Sequence, residues 1–299
     1  MKLDGVHHVT AITGDAPRNV DFYVRVMGLR LVKKTVNQDD PTVYHLFYAD
    51  QNASPGADLT FFEYPGAPRG QVGAGMVERV VFRVASQDSF AFWAERLRGE
   101  GIEAEETPDG LRFADFEGLG LELVVEDVPD PPLRDRSPDI PEEHALSGFA
   151  GVRVLTAGVG LDQALLEQQL EFEPRGENAF EARGDERGGF IEYRQSDERG
   201  RGGAGTVHHV AWASKDDEHE AWQRRLAEAG APVTPVIDRF YFRSIYFRIP
   251  SGVLFEIATH SPGFTVDEPL DELGKHLSLP PKFEKLREQL GQVLTPLPT

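Results

Sequence analysis

The chain has 299 residues, 40% of them hydrophobic, with 31 Lys plus Arg against 50 Asp plus Glu, a formal net charge of −19 and no cysteine. That is the composition of a globular protein with room for two domains, and its negative charge argues against nucleic acid or an anionic membrane as a partner, since both need a basic surface. Without cysteine there is no disulfide, thiol nucleophile or thiolate site, so any metal must take nitrogen and oxygen ligands. No apolar stretch approaches the ~20 residues that cross a bilayer. Met1-Lys2-Leu3-Asp4-Gly5 has no signal-peptide pattern, so a cytoplasmic protein is expected.

The first predicted strand opens on Val6-His7-His8-Val9 and continues through Thr10-Ala11-Ile12, an apolar, β-branched run with one histidine toward each face. Asp15 is placed to cap a helix with Pro17 in its first turn, running through Val20, Phe22, Tyr23 and Val26 to a stop at Gly28. Strands over 29–35, 42–48 and 58–62 follow, the last two separated by the turn-rich segment 50–56. The unit is βαβββ, and the same order recurs three times.

The second unit has a strand over 80–84, a helix containing Phe92, Trp93 and Leu97 that stops near Gly101, and a last strand over 119–124. An acidic, proline-rich run over 127–143 then reads as an extended linker. The third unit is fainter, with a strand over 152–155, a helix around Leu165 and Leu166, and a last strand over 190–193. The glycine-rich segment 199–205 lacks a P-loop lysine and reads as a flexible connection. Val207-His208-His209-Val210 repeats the opening phrase and starts the fourth unit, whose helix from Ala221 to Leu226 nearly copies that of the second. Its last strand, 252–257, carries Glu256. From 264 the chain leaves the repeat, with a helical pattern over 284–290 closed by Gly291, and is expected to lie across the body as a cover. The chain thus divides into 1–126 (modules 1 and 2), a linker over 127–147, 148–263 (modules 3 and 4) and a C-terminal tail over 264–299.

Aligned, the four units place His8, Arg79, Gly151 and His209 at one first-strand position, and Thr60, Glu122, Glu192 and Glu256 at one last-strand position. One pair of strand histidines is more often satisfied by carboxylates than bound to metal, but two copies in matching contexts reverse that preference. His8, His209 and Glu256 therefore form the candidate ligand set, with Thr60 in the fourth place. Two imidazoles and one carboxylate with positions left open suit non-haem Fe(II), and less exclusively Mn(II) or Zn(II). Ligand bonds of about 2 Å require units one and four to pair in space, leaving two and three to form the other barrel. Glu122 and Glu192 then read as structural, with Arg79 as a partner, and Glu63 as exposed on the face opposite Thr60.

The fourfold pattern resembles the vicinal-oxygen-chelate superfamily, which includes glyoxalase I, fosfomycin-resistance proteins, bleomycin-binding proteins and extradiol dioxygenases. Within it, His7-His8-Val9-Thr10, Tyr44-His45-Leu46-Phe47-Tyr48-Ala49-Asp50, His208-His209, and Gly252-Val253-Leu254-Phe255-Glu256 with Thr259-His260-Ser261 look like the hydroquinone-cleaving ring dioxygenases. The resemblance implies an α+β fold of four βαβββ modules in two open barrels, modules 1 and 4 pairing around the metal. It implies His8, His209 and Glu256 as ligands of Fe(II), with Mn(II) as a substitute, and supporting roles for His7, Thr10, His208, Arg239 and Tyr246. Thr10 shares the face of His8, whereas His7 and His208 face away in a regular strand and need a twist or bulge to come near. Arg239 and Tyr246, in the aromatic-dense segment 238–246, are suited to orienting a phenolate.

The implied reaction is cleavage of a hydroquinone or catechol by O2, so a small aromatic diol and O2 are the expected partners. Two alternatives stand beside it. One is a glyoxalase-type lyase, isomerase or thiol transferase, which usually has another protein ligand where Thr60 stands; the other is a metal-free protein that sequesters an aromatic ligand. The sequence is compatible with a homo-oligomer and specifies no stoichiometry.

Overall fold

The computed structural model describes residues 1–134 and 137–297. Module 1 consists of β1 (Val6–Thr13), α1 (Ala16–Val20), β2 (Arg30–Val36), β3 (Tyr44–Ala49) and β4 (Asp58–Glu63). Module 2 has β5 (Met76–Arg83), α2 (Asp88–Gly99), β6 (Glu105–Thr107), β7 (Gly110–Ala114) and β8 (Gly120–Val124). Module 3 has β9 (Phe149–Thr156), α3 (Gln163–Gln168), β10 (Glu173–Pro174), β11 (Ala179–Arg183) and β12 (Gly188–Gln195). Module 4 has β13 (Thr206–Ser214), α4 (His219–Glu228), β14 (Ile237–Asp238), β15 (Arg243–Arg248) and β16 (Leu254–Thr259). The fold is the α+β class that the repeat predicts.

The modules assemble into two eight-stranded sheets, one in the order β14-β15-β16-β13-β1-β4-β3-β2 and the other β10-β11-β12-β9-β5-β8-β7-β6. Modules 1 and 4 therefore share one sheet, and modules 2 and 3 the other. In each module the first and last strands run parallel, and modules meet through antiparallel pairs of first strands, β1 with β13 and β5 with β9. The β1–β13 ladder slips once between Val6 and His8 and once between Thr10 and Ala11, so that His7 on one strand and His208 on the other are extra residues in bulges. The other sheet slips at the corresponding places, leaving Glu78 and Ala150 extra. The bulges thus belong to the joint between modules and are present whether or not a histidine occupies them.

Each sheet is backed by a helix whose apolar stripe explains its place. Trp93 and Leu97 on α2, and Trp222 and Leu226 on α4, are fully buried at the same spacing. The helix expected from Asp15 to Gly28 is instead two pieces. Asp15 Oδ1 accepts from Arg18 N as foreseen, but α1 widens after Val20 into a π-helical stretch, Asp21–Val26, with Met27 N bonded to Phe22 O. This stretch buries the consecutive Phe22 and Tyr23, whose hydroxyl donates to Asp115.

Three further expectations need correcting. The glycine-rich segment is no free linker: Arg199, Arg201 and Ala204 pair with Ala74, Gln71 and Arg69, so the two crossings between sheets run side by side. A Cβ on Gly73 would stand 2.2 Å from Gly200 N, so glycine is required there for backbone approach. Glu63 is buried, because α1 covers that face of β4 and Ala16 N donates to its Oε1 at 3.1 Å. The C-terminal helix begins as a tight turn at Pro281–Leu286 and continues through Gly291 to Val293.

The tail lies against module 1. Leu277 bridges Lys34 beside β2, and Phe264 packs on Phe47 and Tyr241. The Lys33 ammonium, fully buried, donates to Phe264 O at 3.2 Å, to Asp267 Oδ1 at 2.8 Å and to Glu268. Replacing Lys33 by Met takes the cation from Asp267 and Glu268, so a loss of about 1–3 kcal/mol in denaturant unfolding is expected. Limited proteolysis should cut that variant first in 264–279; unchanged stability and an intact tail would contradict the anchoring role.

Candidate metal centre and its pocket

The β1–β13 pairing sets His8 and His209 side by side, and the parallel β13–β16 ladder sets Ala211 beside Glu256, turning its carboxylate to the same point. His8 Nε2 lies 3.2 Å from His209 Nε2 and 3.3 Å from Glu256 Oε2, and His209 Nε2 lies 3.0 Å from that oxygen. All three residues are buried. Atoms bound at about 2.0–2.2 Å to one ion stand about 3.0–3.4 Å apart, so this triangle has the size of three ligand positions. Glu256 Oε2 makes no hydrogen bond although it is fully enclosed, while Oε1 accepts from Ser244 Oγ. A buried, unsatisfied carboxylate oxygen facing two imidazole lone pairs is costly unless a cation completes it, so the residues present fit a divalent metal.

Hydrogen bonding fixes the proton positions of the first histidine pair. His7 Nε2 lies 3.1 Å from Thr259 O, which can only accept, so Nε2 carries the hydrogen. Burial and the neighbouring His8 and His260 hold His7 well below its ordinary pKa, which keeps it neutral, so its Nδ1 is an acceptor. His8 Nδ1, 2.9 Å away, must donate to it, which leaves His8 Nε2 as a lone pair. The His208 and His209 Nδ1 atoms lie 2.8 Å apart, and for His209 to offer a cation its Nε2 lone pair its hydrogen must sit on Nδ1, with His208 accepting it. The bulges that the carry-over of His7 and His208 required are present, but His7 sits buried behind His8 and His208 is exposed, and neither lines the pocket. Thr10 Oγ1 is 2.9 Å from His209 Nε2 and 2.8 Å from Thr60 Oγ1.

The triangle opens into a pocket bounded by β3, β4 and β16. Phe47, Phe62 and Phe242 form apolar walls, and Arg239 and Tyr246 also line it. Arg239 Nε lies 3.3 Å from the Tyr246 hydroxyl, and its two terminal nitrogens hold Asp39 at 2.9 Å each. Gln38 Nε2 donates to Arg239 O, so the two outer edges of this sheet meet at Arg239. Gln38 Oε1 is enclosed and without a partner. Burial and the Glu256 charge push the Tyr246 phenol above its ordinary value, so it stays protonated.

His45, Phe47, Phe62, Gln38 and Asp39 are wall residues that sequence reasoning did not assign. Alternation in β3 was the available signal for His45 and Phe47, since they share a face and pair with Phe62 and Thr60. Gln38 and Asp39 follow β2 in a loop, where no periodicity marks them.

The corresponding place in the other sheet is closed by ion pairs. Glu122, fully buried, accepts from Arg153 Nε at 2.6 Å and from Arg112 Nε at 3.2 Å, and Arg153 also reaches Glu192. Arg79, expected as the partner, lies instead 3.9 Å from Glu78.

Comparison with known proteins places these observations. The profile described as the Glyoxalase/Bleomycin resistance protein/Dioxygenase superfamily matches residues 5–130 and 160–257. A Bacillus subtilis protein that carries the name ring-cleaving dioxygenase MhqE is 41% identical over 99% of this chain and 100% of its own length. The chlorohydroquinone/hydroquinone 1,2-dioxygenase of Sphingobium indicum is 32% identical over 97% of this chain and 95% of its own. A crystal structure of a Bacillus subtilis protein described as a dioxygenase superposes with a TM-score of 0.91 at 37% identity, covering 99% of this chain and 98% of that one. Glyoxalase I from Zea mays, at 16% identity and a TM-score of 0.62 over 91% of this chain and 97% of its own, shares the fold. With a profile match spanning most of its modules and relatives aligned along nearly its whole length, the chain belongs to the glyoxalase/bleomycin resistance protein/dioxygenase superfamily.

Proposed function

We propose that the protein is an Fe(II)-dependent ring-cleaving dioxygenase of a hydroquinone or catechol, with Mn(II) able to stand in for iron. The observation that carries this reading is the triangle of His8 Nε2, His209 Nε2 and Glu256 Oε2 at the base of a pocket with aromatic walls. The names of the full-length relatives support the same chemistry. Bound there, Fe(II) supplies electron transfer between a phenolate and O2, which amino-acid side chains do not.

The chain's own groups do the rest. Phe47, Phe62 and Phe242 exclude water and take the ring between their faces. Gln38 Oε1 gives a second hydroxyl an acceptor, which favours a diol over a monophenol. The Arg239 guanidinium, fixed by Asp39, balances negative charge on a bound phenolate, and the Tyr246 hydroxyl beside it holds a proton for donation. His7 and His208 keep the hydrogens of His8 and His209 on Nδ1. Thr60 is engaged by Thr10 and His45 rather than standing as another protein ligand, which disfavours the lyase alternative. Within the described residues no helix is long and apolar enough to cross a membrane.

Oxygen uptake after anaerobic Fe(II) loading tests the reading, with hydroquinone, its methyl and chloro derivatives and catechol offered in turn. Stoichiometric uptake that disappears in His8→Ala is expected; no uptake with iron bound would overturn it. Elemental analysis of Glu256→Ala should find iron lost, and full occupancy would sink the ligand assignment. Tyr246→Phe should retain iron and lower kcat by about 10²-fold or more, the usual size of a lost acid–base contribution. Wild-type turnover in that variant would remove the phenol from the proton chemistry.

A further inference from the structure

A chain of hydrogen bonds leads from the pocket wall to the candidate ligands by a route that the preceding mechanism does not use. His45 Nε2 lies 2.9 Å from Thr60 Oγ1, Thr60 Oγ1 lies 2.8 Å from Thr10 Oγ1, and Thr10 Oγ1 lies 2.9 Å from His209 Nε2. The His45 ring is held between Phe47 and Phe62, with centroids 3.9 and 4.4 Å away. Thr10 and Thr60 are fully buried, so water does not compete for these bonds.

The direction of the chain follows from counting hydrogens. As a ligand through Nε2, His209 keeps its hydrogen on Nδ1 and offers only a lone pair at Nε2, so Thr10 must donate to it. Thr10 has no second hydrogen, so Thr60 must donate to Thr10. Thr60 is then spent as well, and the hydrogen between it and His45 belongs to His45 Nε2. Every donor points from the pocket wall toward the centre.

Pseudo-symmetry supplies a second, independent observation. Thr60 pairs with Phe47 and His45 with Phe62, just as Glu256 pairs with Tyr246 and Ser244 with Ala258. His45 is thus the module 1 counterpart of Ser244, and Thr60 that of Glu256. Ser244 donates to Glu256 as His45 donates to Thr60. In both modules the residue at this place on the middle strand orients the group at the ligand position of the last strand.

We propose that His45 is a positioning residue which, through Thr60, fixes the Thr10 hydroxyl as a hydrogen-bond donor aimed at the centre, where it meets an oxygen of a bound diol or of O2 once a cation has taken the His209 lone pair. The inference rests on the dioxygenase reading for its consequence in catalysis, and on His209 acting as a ligand through Nε2 for the orientation of the chain. Thr10 presents a hydrogen to the centre only while His45 keeps its own on Nε2.

Two substitutions separate this role from packing. His45→Phe keeps the aromatic contacts and removes the donor, and His45→Gln restores a donor near the place of Nε2. In His45→Phe the iron content should stay at the wild-type level while kcat falls about tenfold to a hundredfold and KM moves by no more than about twofold. His45→Gln should recover most of the loss, and His45→Phe made in a Thr60→Val background should cost nothing more, because both changes break one chain. Independently of turnover, nitrogen-15 NMR of the histidine rings in Zn(II)-loaded protein should show His45 protonated at Nε2 and not at Nδ1, and Thr60→Val should shift that resonance.

Wild-type activity in His45→Phe, iron lost in step with activity, independent losses in the double variant, or an Nδ1-protonated His45 would each overturn the proposal. Should His45→Phe fail to fold, Thr60→Val carries the same kinetic expectation. Absence of oxygen uptake by the wild-type protein would sink the dioxygenase reading, while the tautomer measurement would still decide the orientation of the chain.

Discussion

The structure depends on one strand pairing, β1 against β13. It joins residues about 200 positions apart in sequence, sets His8 beside His209, and by its two bulges lets consecutive histidines act together instead of facing opposite ways. A regular ladder would send every second side chain through the sheet to its other face. The slip at each end re-aims His7 and His208 so that their Nδ1 atoms reach those of the next residue. What looks in sequence like a doubled histidine is in space a candidate ligand with its own tautomer lock.

Two ways of satisfying one geometry stand side by side in the chain. The module joint points a last-strand carboxylate into each sheet's interior, and an enclosed carboxylate needs a compensating positive charge. Around Glu122 that charge is supplied by Arg112 and Arg153, and the place is closed by side chains. Around Glu256 the cationic side chains are replaced by two imidazoles, and one oxygen is left without a partner. The duplicated fold thus offers the same carboxylate twice and fills one place from within. The exchange of Gly151 and Arg79 for His209 and His8 separates a structural ion pair from a candidate metal centre.

Much of this was legible in the sequence because repetition amplifies weak signals. The βαβββ order, the matching Trp93 and Trp222 helices and the His8, His209 and Glu256 set follow from comparing one module with another, where a single module would have been ambiguous. Residues whose meaning depends on neighbours remote in sequence were not legible. Glu63 read as exposed because alternation tells which face a side chain takes but not what covers that face. The glycines of 199–205 read as flexible because their need for close backbone approach appears only when segment 69–74 lies alongside. His45, though part of a stretch that carries the resemblance, drew no role because a lone histidine in an apolar strand carries no mark of its partner, and Gln38 and Asp39 drew none because they act in a loop where the two edges of the sheet are joined through Arg239.

The separation of β1 from β13 also bears on biosynthesis. When module 1 leaves the ribosome, the edge of β1 that later receives β13 is unpaired, and some 140 further residues must be made before its partner exists. An apolar strand with an open edge is a template for pairing with other chains, so the interval is a period of aggregation risk that grows as synthesis slows. Contacts of such long range also form late and slowly, and the centre they create cannot hold an ion beforehand. Binding of a cation at the candidate centre would therefore mark completion of the fold and would add to the stability of the finished protein.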